Sequence, residues 1–354
     1  MIADRNTHES EEVMTASKVF RGGALARGRA AVRAAKSAVR VASGPLAREG
    51  RLVRAGIDRY EGHSNRSEAV YQLRRNVHML EKGLTMRPRR PVFGMDYIKQ
   101  TVETFVTLRG RVDSPLGRDE TLWMNSVLAD YFDATREASD DRLKSLEATF
   151  VASGTGTSDE RSHGPHHPEL AASPVEPENL LALARGRRSV RWFQPRPVSR
   201  DIVDRAMAVA VEGPTACNRQ PYRYLVFDDA ASVKKVAAIP MGTRGYADQL
   251  TGIVVVVGDM SAFFDPRDRH LIYIDGCLAS MGLILGLESE GVGTCVINWP
   301  DMPEKEREMR DLLHLAEYEK VIMLIAYGYA DPEGLVPFSA KAELGEVRSF
   351  VQLP

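Results

Sequence analysis

Arg187-Arg188-Ser189-Val190-Arg191-Trp192-Phe193 precedes a helical start at Ser199, and Gly213-Pro214-Thr215-Ala216-Cys217-Asn218-Arg219-Gln220-Pro221 follows the same helix. The first stretch gathers guanidinium groups around a hydroxyl. Arginine forks donate paired, charge-assisted hydrogen bonds and so suit phosphate and carboxylate, although a basic run taken alone is more often a solvated face. In the second stretch Pro214 and Pro221 stiffen a loop whose interior offers Thr215, Asn218 and Gln220 as hydrogen-bonding groups. Such a loop can present donors to a planar heterocycle, or it can be an ordinary turn.

The surrounding sequence supplies a scaffold for both. Residues 179–184 lead into the arginine run. Ser199 is an N-cap candidate for a helix whose buried face is Ile202, Ala206 and Val209. Residues 222–227 and 252–258 are short apolar runs rich in β-branched and aromatic side chains, which predicts strands. Residues 271–290 form a long, nearly all-apolar helix carrying Gly276, Ala279, Gly282 and Gly286. A helix apolar all round belongs inside a protein, and its small residues permit close backbone approach. Gly291 is its C-terminal cap, and residues 294–298 and 321–327 are further strands. This alternation predicts an α+β or α/β domain around a central sheet.

Upstream, residues 67–150 are helical in pattern. Val70, Leu73, Val77 and Leu80 recur at three- and four-residue steps after the N-cap candidate Ser67. A second helix is predicted over 96–108, with Ile98, Val102, Phe105 and Val106 as its stripe, a third over 119–138 and a fourth over 142–150. Residues 151–178 are a linker rich in Ser, Gly, Thr, Pro and His, where His163, His166 and His167 lack carboxylate or thiol companions at ligand spacing. The expected organisation is therefore a basic, partly disordered arm over 1–66, a helical domain over 67–150, the linker, and an α+β domain over 179–354. Between Lys18 and Arg54 the only acid is Glu49. A basic-faced helix over 24–42 would suit anionic lipid or an acidic partner, although a solvated arm accounts for the same composition.

The chain of 354 residues has 44% apolar and 27% charged residues and a net charge of −1, so nothing global points to nucleic acid or membrane. Cys217, Cys277 and Cys295 have neither metal-ligand spacing nor an even count, which predicts reduced thiols, a cytoplasmic setting and no structural metal. No apolar run approaches the ~20 residues that span a bilayer, and residues 1–12 are too polar for a secretory signal.

The two opening stretches, in this order, resemble the FMN-dependent nitroreductase family. That family carries an Arg-Arg-Ser-x-Arg-x-Phe run and a Pro-Ser-x-x-Asn-x-Gln-Pro loop. Residues 222–227 match the strand after the loop, residues 275–293 the family's buried central helix and its Gly-x-Gly end, and Lys341 stands near a C-terminal basic position. The resemblance spans about residues 179–350. It implies a nitroreductase-like α+β fold, with a mixed or antiparallel sheet flanked by helices. It also implies a homodimer with two FMN sites at the subunit interface and NADH or NADPH as electron donor. Arg187, Ser189 and Lys341 would hold the phosphate and ribityl chain, and Arg188 and Arg191 would lie along the cofactor, Arg191 near the pyrimidine edge. Pro214, Thr215, Ala216 and Asn218 would come from the partner subunit. Val296, Ile297, Asn298 and Trp299 would pass the dimethylbenzene and N5 side, with a backbone N–H near Asn298 bonding N5.

This last segment departs from the Pro-x-Glu-Gly of many members, so backbone contacts carry over and a glutamate side-chain role does not. The interval from Phe227 to Gly252 is also short for a covering loop. Residues 74–94 resemble a segment upstream of nitroreductase-like domains associated with bacterial surface-polysaccharide gene clusters. There His78 and Glu81 share a helix face, and His78 or Lys82 is a candidate for substrate contact. The implied activity is ping-pong hydride transfer from NAD(P)H to an acceptor, with the chemistry on the flavin. A flavin-dependent oxidase or dehydrogenase, or a non-catalytic FMN-binding scaffold acting through the basic arm, stand as alternatives.

Overall fold

The computed structural model describes residues 44–62, 66–138, 140–154, 163–168 and 171–353. The helix predicted over 24–42 lies outside the described residues. The chain divides into two compact units, residues 1–54 and 55–354. Helix α1 (Pro45–Glu61) was not anticipated beyond the arm's Ala and Arg content. It starts with proline, whose missing N–H costs nothing in a first turn.

Four helices follow, α2 (Arg66–Thr85), α3 (Ile98–Arg109), α4 (Arg118–Thr135) and α5 (Asp141–Ala152). The predicted stripes are the ones that pack. Val70, Leu73, Val77 and Leu80 of α2 meet Ile98, Val102 and Phe105 of α3, Met124, Leu128 and Phe132 of α4, and Phe150 of α5 in one core. Asp140 caps α5 by accepting from the backbone N–H groups of Arg142 and Leu143.

Beyond residue 171 the chain forms α6 (Pro177–Gly186), α7 (Arg200–Val211), β1 (Tyr222–Phe227), α8 (Ala230–Ala237), β2 (Gly252–Asp259), α9 (Leu271–Ser289), β3 (Gly293–Asn298), α10 (Pro303–Leu313), β4 (Glu319–Gly328) and the single turn α11 (Leu344–Val347). The sheet runs β1-β2-β4-β3 with every named strand pair antiparallel. Ser189 adds a parallel bridge to Thr294 on the outer edge of β3. Helices plus this sheet make an α+β domain, as the sequence predicts.

Strand β2 lies inside the sheet with both faces covered, so it reads as an unbroken Ile-Val-Val-Val-Val run. Ile253, Val255 and Val257 face α8 and α10, while Val254 and Val256 face α7 and α9. Helix α9, with the turn before it, is long and apolar enough by composition to cross a membrane. Here it is a core helix: Ala279, Leu283 and Leu287 are buried beneath α7 and the sheet. Two glycines make that packing possible. A Cβ on Gly282 would stand 2.9 Å from the carbonyl oxygen of Val209, and one on Gly286 would stand 2.9 Å from the Cα of Ala206.

Candidate functional site

Helix α6 ends at Arg187, whose N–H donates to the Leu183 carbonyl, and the next residues lie down along β3. The Val190 N–H donates to the Thr294 carbonyl at 2.9 Å, completing the register begun by the Ser189 bridge. Val190 packs into the space above Gly293, where a Cβ would come within 2.8 Å of it. Val190 and Phe193 are buried in the core, while Arg187, Arg188, Ser189 and Arg191 are left half-buried at the surface.

Among the described residues none of these arginines forms a salt bridge. Arg188 donates to the carbonyls of Arg185 and Arg187, and Arg191 reaches the Ser189 carbonyl at 3.4 Å. Glu288 in the last turn of α9 feels the charges of Arg187 and Arg188. Burial raises its pKa, and those charges oppose that rise. The group is a set of cations with spare hydrogen-bonding capacity, which fits an anion with several oxygens.

Strand β3 carries the site's floor. Val296 and Asn298 point outward, while Ile297 and Trp299 are buried, the Trp299 indole donating to Glu306 of α10. Of the four residues expected along the cofactor, two therefore offer side chains to the surface and two can offer only backbone. Beside them the segment between α8 and β2 folds over β3, and Gly242 sits against Ile297. Its Tyr246 ring lies 5.9 Å from the Arg191 guanidinium. Burial pushes the Tyr246 phenol up to about 12 and also raises the Cys295 thiol, which stays protonated under Arg191 and Tyr246.

The second stretch is built differently. Cys217, Asn218 and Gln220 all have left-handed backbones, with φ of 54°, 51° and 54°. For residues with a Cβ this costs free energy unless surrounding bonds fix it. Asp275 of α9 accepts from the Ala216 N–H at 3.1 Å, Thr215 Oγ1 accepts from the Gln220 N–H at 3.1 Å, and the Gln220 amide donates to Asn218 Oδ1. From outside, Arg74 of α2 donates to the Arg219 carbonyl at 3.1 Å while paired with Glu120 of α4. Asp275 is buried, and desolvation raises its pKa to about 6 against the opposing Ala216 hydrogen bond and Arg219 charge.

Within one chain the two stretches do not meet. Asp275 anchors the loop near the start of α9 and Glu288 neighbours Arg187 and Arg188 near its end, so about 20 Å of helix separates them. Lys341 stands exposed in the tail after β4, without an ion pair among the described residues. His78 and Glu81 do share a face of α2, 3.5 Å apart, and Glu81 also accepts from the Trp123 indole at 3.1 Å. Lys82 is exposed. No hydrogen bond or ion pair among the described residues ties either candidate to the two stretches. Sequence reading passed over Tyr246, Asp275, Arg74 and Arg219. Asp275 was open to notice as an acid near the start of a nearly all-apolar helix; the others are marked only by tertiary contact.

The sequence model of the Nitroreductase family matches residues 184–244 and 246–329. The C-terminal half carries a nitroreductase domain. A protein of Archaeoglobus fulgidus named "Putative NADH dehydrogenase/NAD(P)H nitroreductase" is 25% identical over 158 residues, which are 44% of this chain and 88% of that protein. An NADH dehydrogenase of Thermus thermophilus is 25% identical over 195 residues, covering 46% of this chain and 92% of the relative. Among solved structures, an FMN-dependent nitroreductase of Clostridium difficile aligns at 18% identity and a TM-score of 0.42, over 48% of this chain and 98% of its own. The nitroreductase domain is that of an oxidoreductase family whose members use flavin and NAD(P)H. The helices before it lie outside the matched residues.

Proposed function

We propose that the nitroreductase domain binds FMN as a homodimer and passes reducing equivalents from NAD(P)H to an acceptor in ping-pong order. The observation that carries this reading is the separation of the two stretches along α9, together with the face of α9 between them. Ile274, Leu278 and Met281 recur at helical spacing, and each is roughly half exposed, at 51%, 48% and 42%. Contiguous exposed apolar surface of this kind marks an interface. A second copy related by a two-fold axis along that face would bring one chain's 214–218 loop to the other's arginine set. The exposed tail, with Leu335, Phe338, Phe350 and Leu353 outward, adds apolar surface for the same copy to cover.

The residues present fit the cofactor. Arg187, Arg188 and Ser189 offer unneutralised donors for a phosphate, and Arg191, held by Tyr246, offers a cation for the polar edge of a ring system. Val296 and Asn298 supply an outward-facing strand edge, and the partner's Pro214, Thr215, Ala216 and Asn218 would close the other side. Lys341 would join the phosphate donors from the tail. FMN bound there supplies hydride chemistry at N5, and the protein orients it and excludes water. His78 and Lys82, with the resemblance of residues 74–94, keep surface-polysaccharide metabolism as the setting for the acceptor. A cytoplasmic location and a membrane or acidic-partner contact through residues 18–54 belong to the same proposal.

Purified protein should be yellow, sediment as a dimer and lose flavin absorbance anaerobically on adding NADH or NADPH. A colourless monomer that takes up no FMN would end the reading. Rapid reoxidation by air without another acceptor would favour the oxidase alternative, and a flavin that no reductant bleaches would favour the scaffold.

A further inference from the structure

Three arginines meet behind the 214–220 loop, and they are not treated alike. Arg74 is neutralised by Glu120. Arg75 and Arg219 have no carboxylate partner among the described residues. Arg75 donates only to the neighbouring Asn76 side chain, at 3.0 Å, and its guanidinium lies 5.1 Å from the Phe264 ring centre. Arg219 lies 4.9 Å from the ring centre of the adjacent Phe263. It is only 3% exposed, its Nε has no hydrogen-bond partner, and its one side-chain bond is a long 3.5 Å contact to the Ala216 carbonyl. Asp268 and Asp275 act on it electrostatically, yet among the described residues neither forms a salt bridge with it. Asp275 is engaged by the Ala216 N–H, and Asp268 lies beside Arg267.

Burial and the nearby charge of Arg75 together depress the Arg219 pKa. A desolvated, under-bonded cation that also feels the charge of a second cation is an arrangement a fold does not retain for stability. Ring faces offset part of the cost by cation–π attraction, but they leave the in-plane N–H donors unused. An oxyanion would use them, since its oxygens accept from two forks at once.

We propose that Arg75 and Arg219 form an oxyanion-binding pair that receives a carboxylate or phosphate group of the acceptor, beside the loop proposed to border the cofactor. Arg75 packs on Phe264 and Arg219 on the adjacent Phe263, and the Arg74 bond to the Arg219 carbonyl ties the loop to α2 beside Arg75. The helices outside the matched family region thereby supply substrate selection, because Arg75 belongs to α2 and not to the nitroreductase domain. The assignment of the anion to the acceptor rests on the flavin reading above; the anion site itself does not.

The test has two arms. Calorimetry on the full purified chain, with benzoate and with inorganic phosphate as probes, should show saturable binding of at least one. Arg75→Gln should weaken it about tenfold or more, Arg75→Lys should restore part of it, and the Arg75→Gln/Arg219→Gln pair should be less than additive. Arg75 is half-exposed, so its variants remain informative if Arg219→Gln does not fold. Saturation by neither probe, or affinity unchanged in Arg75→Gln, overturns the site. In the second arm, NADH-dependent reduction of 4-nitrobenzoate should have a KM about tenfold below that of nitrobenzene. Arg75→Gln should level the two with kcat and flavin content unchanged. A variant that instead raises only the KM for NADPH, leaving that for NADH and both acceptors alone, would place the anion on the donor and refute the acceptor assignment. A protein that holds no flavin would fail the reading on which the second arm depends, and the calorimetry would still decide the site.

Discussion

The two ends of α9 hold the two candidate stretches by opposite means. At the C-terminal end the backbone of residues 187–191 has no left-handed residue and is positioned by register against β3, and the arginine side chains are left with unused donors. At the N-terminal end the side chains of Thr215, Asn218 and Gln220 are spent on one another, and the backbone itself is unusual, with three left-handed residues. One end offers charge on a relaxed frame; the other offers shape on a strained one. Affinity should therefore be most sensitive to side chains at the first end, and to backbone support at the second.

The rigid spacer between them is the place to break both at once. Gly286→Val drives a branched side chain into Ala206 at backbone distance, and should cost about 3 kcal/mol or more by overpacking. Denaturant unfolding would measure this; a variant of unchanged midpoint would mean that α7 and α9 are not locked as described. Next in size is Arg187→Ala combined with Arg191→Ala. Loss of charge-assisted bonds should weaken FMN binding about 10–100-fold, with stability changed by less than about 0.5 kcal/mol because neither arginine serves the core. Flavin fluorescence titration beside thermal melts would separate the two effects, and equal losses in both would erase the contrast between the ends.

Asp275 tests the strained end through pH. Its folded pKa of about 6 lies above the unfolded value of 3.8, so the protonated form favours folding. Its contribution is complete below the unfolded value and is lost as pH rises through the folded one. Asp275→Asn keeps an acceptor for Ala216 and removes this titration. It should flatten the decline in stability between about pH 4 and pH 6 by on the order of 1–2 kcal/mol. An unaltered pH profile would show that the carboxyl does not titrate there. The smallest effect belongs to Cys217→Gly, which relieves a left-handed residue and should stabilise by up to about 1 kcal/mol. A destabilised variant would show that the thiol's packing outweighs the backbone strain.

Much of this architecture was legible because period and burial agree. The stripe Val70, Leu73, Val77, Leu80 could only be one helix face, and the unbroken run in β2 could only be a covered strand. The arginine run and the proline-bounded loop stand out in the sequence as candidate site elements through their resemblance. Their geometry was not, because αL backbone at Cys217 has no composition signal and nothing local says that Asp275 turns toward Ala216. Helix α9 shows the limit most plainly. Its apolar sequence predicts burial all round, yet Ile274, Leu278 and Met281 remain outside the monomer core. An interface and a core select the same side chains, so hydropathy alone does not separate them.

The bridge between Ser189 and Thr294 has a second consequence, for solubility. Strand β3 is the sheet's last strand, and an uncovered edge is a template for pairing with other chains. The arginine run is what covers it, so the proposed cofactor-binding segment is also the guard on that edge. Any change that peels residues 187–193 away would lose ligand affinity and expose the ladder in one event. Aggregation of cofactor-stripped protein should therefore begin at β3, and a bound flavin would act as a clasp that keeps the edge closed.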